Sequence, residues 1–439
     1  MQTRHGRTAA PSCGSTPQPT TWYHASARPF AALAPLDETV DADVCVVGGG
    51  LTGVSAALAL AERGYRVILL EAGRIGDGAS GRNGGQLVTG FSCDMRELRR
   101  HAGLAASRDM WDMGIEAMDL VRSRVARHEI DCDLRRGYLF AAGTPRQRAD
   151  LAGTAEDWAS VYRYTGPRLL ARPDLARLVG SDSYVAGLAD PGGGQIHPLE
   201  YLRGLAAAAR LAGAAMFEHS RVLAVERTGA RSCVRTARAE VRARFVVLAG
   251  NAYLEGLHPP LHARLAAVAS HVAVTPPLPA DTLRRIMPGN VAVCDWAPAP
   301  DYYRVTGDGR LLFGAGARYR PGDNGGRDRF LKRRIARVFP SLDPVELDCS
   351  WTGLIGVTRT RIPDIGRSGP DLFHAQGFSG HGVALTGLAG TLVAEAVAGT
   401  AERFDVFAAL RHRPFPGGVM RGPLLALAVN WYRLRDRLG

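Results

Sequence analysis

Lysine is almost missing from this chain. Of its 54 lysines and arginines only Lys332 is a lysine. A net charge of +12 raises the prospect of nucleic acid or an anionic membrane. The arginines are dispersed, with short clusters such as Arg99-Arg100 and Lys332-Arg333-Arg334, which reads as compositional bias and not as a binding face. Seven cysteines (Cys13, Cys45, Cys93, Cys132, Cys233, Cys294, Cys349) show no paired metal spacing. That leaves no zinc site and points to reduced thiols in a cytoplasmic protein. No apolar run nears the ~20 residues that cross a bilayer; Leu424 to Val429 is far too short. The first 21 residues are polar and rich in Pro, Ser, Thr and Arg, without the apolar core of a secretory signal, and read as a disordered extension. A P-loop and a Gly-x-Ser-x-Gly elbow are also lacking.

What is present begins at Asp43. Val44 to Val47 is a short apolar strand that breaks into Gly48-Gly49-Gly50. An alanine-rich helical segment, Leu51 to Arg63, follows, then Gly64, then a second strand, Arg66 to Leu70, ending at Glu71. This order of strand, glycine turn, helix, strand and acid is the fingerprint of a domain that binds the adenosine half of a dinucleotide. Gly48 takes the tight turn, Gly50 lets a pyrophosphate approach the backbone, and Gly53 lets the helix pack on the strand. The helix start offers free N–H groups and a positive dipole end to phosphate. Glu71 follows Gly48 by 23 residues, near the usual ~20. Its carboxylate suits ribose hydroxyls and repels a 2′-phosphate, which argues against NADP.

At 439 residues, 46% hydrophobic and 22% charged, the chain has the make-up of a globular protein with two domains. A second glycine-rich segment spans Gly76 to Leu87, and a third, Gly377 to Gly382, joins a strand at Leu372–Gln376 to a helix at Val383–Val397. Long helices are expected over Met95–Glu129 and Arg146–Tyr162, a break at Pro191-Gly192-Gly193-Gly194, and a helix opening at His197-Pro198. Short strands follow at Arg221–Glu226, Cys233–Thr236 and Phe245–Ala249, with another at Arg310–Gly314 and an amphipathic helix at Asp328–Phe339. Three glycine turns, the last of them hundreds of residues after the first two, need a large, elongated ligand, and FAD fits that better than NAD.

In these turns the chain resembles the D-amino-acid-oxidase-like flavoproteins, and among them the γ-glutamylputrescine oxidases. The likeness rests on Gly48-Gly49-Gly50-Leu51-Thr52-Gly53, on Gly78-Ala79-Ser80-Gly81-Arg82-Asn83-Gly84-Gly85-Gln86, and on Phe378-Ser379-Gly380-His381-Gly382-Val383. Gly250-Asn251-Ala252-Tyr253, Asp301-Tyr302-Tyr303-Arg304, Trp351-Thr352-Gly353 and Pro414-Phe415-Pro416-Gly417-Gly418 extend it. So do Ala401 to Asp405 and the terminal Arg433 to Gly439. The likeness runs from about Trp22 to the C-terminus.

The resemblance implies an α/β protein (α+β overall) with a discontinuous Rossmann-like FAD-binding domain and a substrate domain built on a mainly antiparallel sheet. The expected division gives residues 22–94, 191–255 and 350–410 to the FAD domain, 95–190 and 256–349 to the substrate domain, and 411–439 to a C-terminal tail. It implies oxidation of an amine. A hydride passes from the carbon next to nitrogen to flavin N5, the imine hydrolyses to an aldehyde, and oxygen becomes hydrogen peroxide. In γ-glutamylputrescine oxidases the amine is the free end of γ-glutamylated putrescine, in putrescine breakdown. The alternatives are a dehydrogenase or demethylating enzyme on a secondary amine such as sarcosine, and, from another class, a basic FAD protein that binds RNA.

The expected FAD contacts are Gly48, Gly50, Leu51, Thr52 and Gly53 in the first turn, with Glu71, Ala72 and Arg74 after the second strand. Ser80, Gly81, Arg82, Asn83, Gly84, Gly85, Gln86 and Leu87 supply the second segment. Val222, Ala249 and Gly250 come from the middle of the chain, and Gly380, His381, Gly382 and Val383 from the third turn. Arg82 is either a phosphate or flavin contact or a surface ion pair. His381 is either a donor toward the flavin, and so a catalytic candidate, or a turn histidine serving backbone. Tyr302, Tyr303, Arg304 and Trp351 are the substrate-side candidates, with Tyr303 also a catalytic one. Arg304 is either a bidentate carboxylate clamp or a strand-edge arginine paired to Asp301 or Asp308. Trp351 walls the pocket or sits in the core, and His197 is a helix-start residue.

Sarcosine oxidases tether flavin through a cysteine before a stretch like Thr358 to Asp364. No cysteine lies between Cys349 and that stretch, so the FAD is expected to be non-covalent. Those enzymes also carry a lysine by the flavin where this chain has Leu311 and Leu312, and Lys332 falls in an expected surface helix. The partners expected are a small amine and oxygen, with no nucleic acid.

Overall fold

The computed structural model describes residues 21–318 and 324–416. The expected extension up to residue 20, and the tail from 417 on with its Leu424–Val429 and Arg433–Gly439 stretches, lie outside the described residues. Thr21, counted with the extension above, is instead a buried N-cap. Its hydroxyl accepts from His24 N and opens the helix Trp22–Ser26.

One sheet grows around the first apolar run. Its order is Asp364–Arg367, Leu372–Gln376, Glu240–Leu248, Val40–Val47, Val67–Leu70 and Ala215–Phe217. All of these pairings are parallel except that of Asp364–Arg367. Strand alternation sends Val44 and Val46 to one core and Cys45 and Val47 to another. The first of these faces is covered by the helices Leu51–Ala61, Pro198–Leu211 and Gly382–Val397. Burial on both faces explains why these strands read as continuous apolar runs. An antiparallel ribbon, Ala224–Thr228 and Arg231–Arg235, extends from Glu240–Leu248.

The second sheet runs Cys349–Val357, Ala266–Val274, Leu311–Arg318, Tyr302–Val305, Ala292–Asp295, Arg135–Ala142, Ala186–Gln195 and Gln86–Leu87. Only the pair Ala292–Asp295 with Arg135–Ala142 is parallel. One face packs Tyr303, Val305, Leu311 and Phe313 against Leu331 and Ile335 of the helix Asn324–Val338. The opposite face, carrying Tyr302, looks toward the first sheet. This sheet takes Gln86–Leu87, the end of Ala186–Gln195 and Cys349–Val357 from ranges given above to the cofactor domain.

Further expectations are corrected. The helix Met95–Glu129 is two helices, Met95–Ala102 and Leu104–Arg127, parted at Gly103, whose φ is +81°. Pro191 to Gly194 is no break but the end of the strand Ala186–Gln195. The glycines serve close packing there: a Cβ on Gly193 would lie 2.4 Å from Tyr138 Cβ, and one on Gly194 2.4 Å from Arg135 O. The thiol reading also changes at one position, since Cys349 is disulfide-bonded. Cys45, Cys93, Cys132, Cys233 and Cys294 are free. Among the described residues no single helix is long and apolar enough to cross a membrane.

Candidate functional site

A cavity of about 2430 Å³ lies between the two sheets. The first glycine turn, the second segment and the third turn all line it. Gly48, Gly50, Leu51 and Thr52 wall one end, with Glu71, Ala72, Arg74 and Val222 beside them. Ser80, Arg82, Asn83, Gly84 and Gln86 come next, then Ala249, Gly250, Gly380, His381, Gly382 and Val383.

The first turn has the shape a diphosphate needs. Gly48 has φ +114°, and a Cβ there would touch the Ala249 backbone at 3.0 Å. A Cβ on Gly53 would lie 1.9 Å from Gly48 O, so Gly53 serves helix-on-strand packing and does not itself line the cavity. The N-cap Gly50 makes no side-chain cap bond; the Leu51 N–H is instead received by Ser80 Oγ at 2.9 Å. Glu71 accepts from Gly49 N at 2.6 Å and Gly73 N at 2.8 Å. Burial pushes its carboxyl up, and these backbone amides oppose the shift.

The second segment is braced from within. Asn83 Nδ2 donates to Ser80 O at 2.8 Å, and its Oδ1 accepts from Gly85 N at 2.8 Å. Arg82 Nε donates to Asp77 O at 2.7 Å and its side chain lies along the cavity; among the described residues no ion pair holds it. Gln86 Nε2 donates to Val293 O at 2.9 Å and its Oε1 accepts from Tyr138 Oη at 3.1 Å, which ties the segment to the second sheet. Gly81, Gly85 and Leu87 sit behind the wall. At Gly85 φ is +67° and a Cβ would lie 2.2 Å from Ile196 O.

The third turn is held by Asn251, Gly356 and Ser92, from outside the first two turns. Gly377, Ser379 and Gly380 all have positive φ. Gly377 N donates to Asn251 Oδ1 at 3.0 Å, Ser379 N to Gly356 O at 3.0 Å, and Ser92 Oγ to Ser379 O at 2.8 Å. The helix Gly382–Val397 then starts at the cavity with no side-chain cap from His381. Its N–H groups and positive dipole end face the cavity. The His381 ring, 3.4 Å from Gly90 O, is held at about 4 by burial, so it is a neutral imidazole at ordinary pH.

On the substrate side the outcome is divided. Tyr302 lines the cavity: its ring passes over Gly84 and Gly314, and its hydroxyl meets Ser270 Oγ at 2.9 Å. Tyr303 points the other way. It stacks on Phe313 and donates to Tyr184 Oη at 3.2 Å within the second core, so it is no catalytic candidate. Alternation along one strand decides this. Arg304 is neither clamp nor edge pair. It is fully buried beneath the second segment, with Nε donating to Gly84 O at 2.8 Å. Asp301 is taken by Arg334 and Arg337, and Asp308 by Arg310. Trp351 is buried, with Nε1 donating to Arg82 O at 2.9 Å, so it is core and not wall. His197 caps its helix, its Nδ1 accepting from Glu200 N at 3.1 Å.

Several wall residues have no place in the sequence reading. Tyr138 and Phe140 project from Arg135–Ala142, Cys294 from Ala292–Asp295, and Ser270 from Ala266–Val274. The alternation of Tyr138 and Phe140 with Leu139 and Ala141 was a readable strand signal. Ser270 had none. Gln147, Asp150, Thr154 and Trp158 form one face of the helix Pro145–Tyr162 at the cavity, opposite Trp296 to Pro300.

Two buried helix starts without caps of their own and a backbone cradle cleared of side chains fit a dinucleotide running the length of the cavity. The chain belongs to the FAD dependent oxidoreductase family, which matches residues 43–396. It is a flavoenzyme of that family, dependent on FAD and acting on amine-type substrates. It is 43% identical over 97% of its length to the whole of the Gamma-glutamylputrescine oxidoreductase of Escherichia coli (strain K12). It is 36% identical over 95% of its length to 97% of the Probable oxidoreductase OrdL of Haemophilus influenzae. Among solved structures, glycine oxidase from Geobacillus kaustophilus is similar with a TM-score of 0.69 at 25% identity, covering 85% of this chain and 100% of that one.

Proposed function

We propose that this enzyme oxidises a primary amine at the end of an extended molecule, γ-glutamylputrescine or a close analogue, with oxygen as the final acceptor. The observation that carries this reading is the neutral patch around Tyr302 on the cavity floor; beside it stands Asp295, the acid that the described strands of this sheet bring to the lining, whose carboxyl burial and then Asp301 push up to about 7. Tyr302, Ser270, Tyr138 and Cys294 present hydroxyls and a thiol there. Burial pushes the Tyr302 hydroxyl and the Cys294 thiol up, so both stay uncharged. Among the described residues no arginine or lysine from the sheet's strands stands on that floor, because Arg304 lies beneath the loop. An α-carboxylate beside the reacting nitrogen would have no bidentate partner among them. A terminal alkylamine needs none. The identity of the relative from Escherichia coli supports the same class.

When bound, FAD supplies acceptance of the hydride that leaves the carbon next to nitrogen. The chain's own part is positioning. The Tyr302–Ser270 pair offers hydroxyls to the amine, and neutral surroundings favour the deprotonated nitrogen that can release a hydride. The imine is hydrolysed to aldehyde and ammonia, and the two electrons reduce oxygen to hydrogen peroxide. The reading further takes FAD as non-covalent, the two sheets as the cores of two domains, and the cytoplasm as the location.

The test is anaerobic mixing of the yellow protein with γ-glutamylputrescine, putrescine, sarcosine and glycine. Bleaching of the flavin band with γ-glutamylputrescine, well ahead of glycine and sarcosine, is expected, with peroxide released on admitting air. Preferential bleaching by glycine would contradict the neutral-floor argument. Bleaching by sarcosine without peroxide would favour a secondary-amine dehydrogenase. The exposed position of Lys332, outside the cavity wall, is what keeps that second reading in view.

A further inference from the structure

Arg304 is a buried cation without an acid. None of its side chain is exposed. Its Nε donates to Gly84 O at 2.8 Å and its Nη2 to Tyr23 Oη at 3.3 Å, while Nη1 has no partner. The guanidinium lies 6.0 Å from the centre of the Tyr23 ring. The neighbouring His197 is held at about 3 by burial and then by the Arg304 charge, so it is neutral and brings no second cation. Arg310 gives the contrast: equally buried, it is paired with both Asp308 and Asp348. A desolvated charge held only by neutral groups is costly, and replacing it by an apolar side chain of similar volume is often neutral or better. A buried group of this kind calls for a role.

Its position supplies one. A Cβ on Gly85 would lie 2.9 Å from Nη2 and 3.1 Å from Nε, so the guanidinium presses on the inner side of the Gly84–Gln86 loop. The outer side of that loop, at Gly84 and Gln86, lines the cavity. Gly84 also packs under the Tyr302 ring, where a Cβ would lie 2.7 Å from it. This stretch therefore belongs to the part of the cavity walled by the second sheet, and the diphosphate cradle at Gly50, Leu51 and Ser80 is a separate part. One backbone layer of low dielectric screens the charge poorly. An anionic charge developing in the cavity is the partner that Arg304 lacks within the protein.

We propose that Arg304 is a positioning residue whose fixed positive charge, set behind the Gly84–Gln86 loop, raises the reduction potential of the bound flavin. The proposal rests on FAD dependence and not on which amine is oxidised.

The test uses the holoenzyme and the variants Arg304→Met, Arg304→Gln and Arg304→Lys. Three quantities are measured: FAD bound per chain, the two-electron midpoint potential by dye equilibration, and the dissociation constant of sulfite read from flavin bleaching. Arg304→Met should keep one FAD per chain, bind sulfite at least tenfold more weakly and lose about 30 mV, the equivalent of tenfold for a two-electron couple. Arg304→Lys should recover most of both. If Arg304→Met does not load FAD, Arg304→Gln, which keeps hydrogen-bond donors without the charge, carries the same expectation. Wild-type potential and sulfite affinity in whichever neutral variant loads FAD would overturn the proposal and leave Arg304 a brace for the loop.

Discussion

Single side chains here divide into those whose chemistry shows in their identity and those whose neighbours decide it. Glu71 is of the first kind, because an acid at that distance from a glycine turn has one common use. Arg304 is of the second. The family resemblance offered it as a carboxylate clamp, yet the fold turns it under a loop and leaves it without an acid. Two histidines with lowered values give a prediction at this scale. His197 and His381 are held at about 3 and about 4, below the ordinary 6.5. Between those values and about pH 6.5 the unfolded chain binds more protons than the folded one. Their contribution is therefore complete above about pH 6.5 and is lost as the pH falls toward 4. His197→Asn keeps a helix cap and removes one of these groups. Urea unfolding at pH 7 and pH 4.5 should show a smaller acid loss in the variant, by up to about 1.4 kcal/mol per pH unit; an unchanged difference would contradict the assignment.

Elements were legible where one signal dominates. The first strand, its helix and the helix Gly382–Val397 follow from apolar runs closed by glycine, and the structure places them where that pattern puts them. Pro191 to Gly194 was misread because glycines that clear space for Tyr138 and Arg135 look, in sequence, like glycines that make a turn. The same ambiguity yields a paired prediction. Gly390 in Gly382–Val397 faces the Leu51–Ala61 helix, where a Cβ would lie 2.5 Å from Ala56 N. Gly153 in Pro145–Tyr162 has nothing within 4 Å. Gly390→Ala should destabilise by about 1–3 kcal/mol, whereas Gly153→Ala should stabilise by about 0.5–1 kcal/mol. Thermal melts that ranked the two the other way would show that the helix contact is not as close as described.

At the scale of the whole molecule, the sequence announced three glycine turns and one long ligand, but not the surface that faces the ligand. The floor of the cavity is assembled from strands that pair across great sequence distance, such as Ala266–Val274 with Cys349–Val357. No local pattern marks Ser270 or Cys294 as neighbours of Tyr302. The first turn and the second segment brace one another directly, Leu51 N donating to Ser80 Oγ, and the third turn is tied to the middle of the chain, Gly377 N donating to Asn251 Oδ1. Their convergence on one FAD is the claim from which the rest follows. The most direct measurement is the flavin content of the folded chain after gel filtration, followed by heat release and identification of the freed cofactor. The account gives one FAD per chain, all of it recovered free in the supernatant. A folded chain that takes up no FAD, or flavin that stays with the precipitated polypeptide, would contradict it.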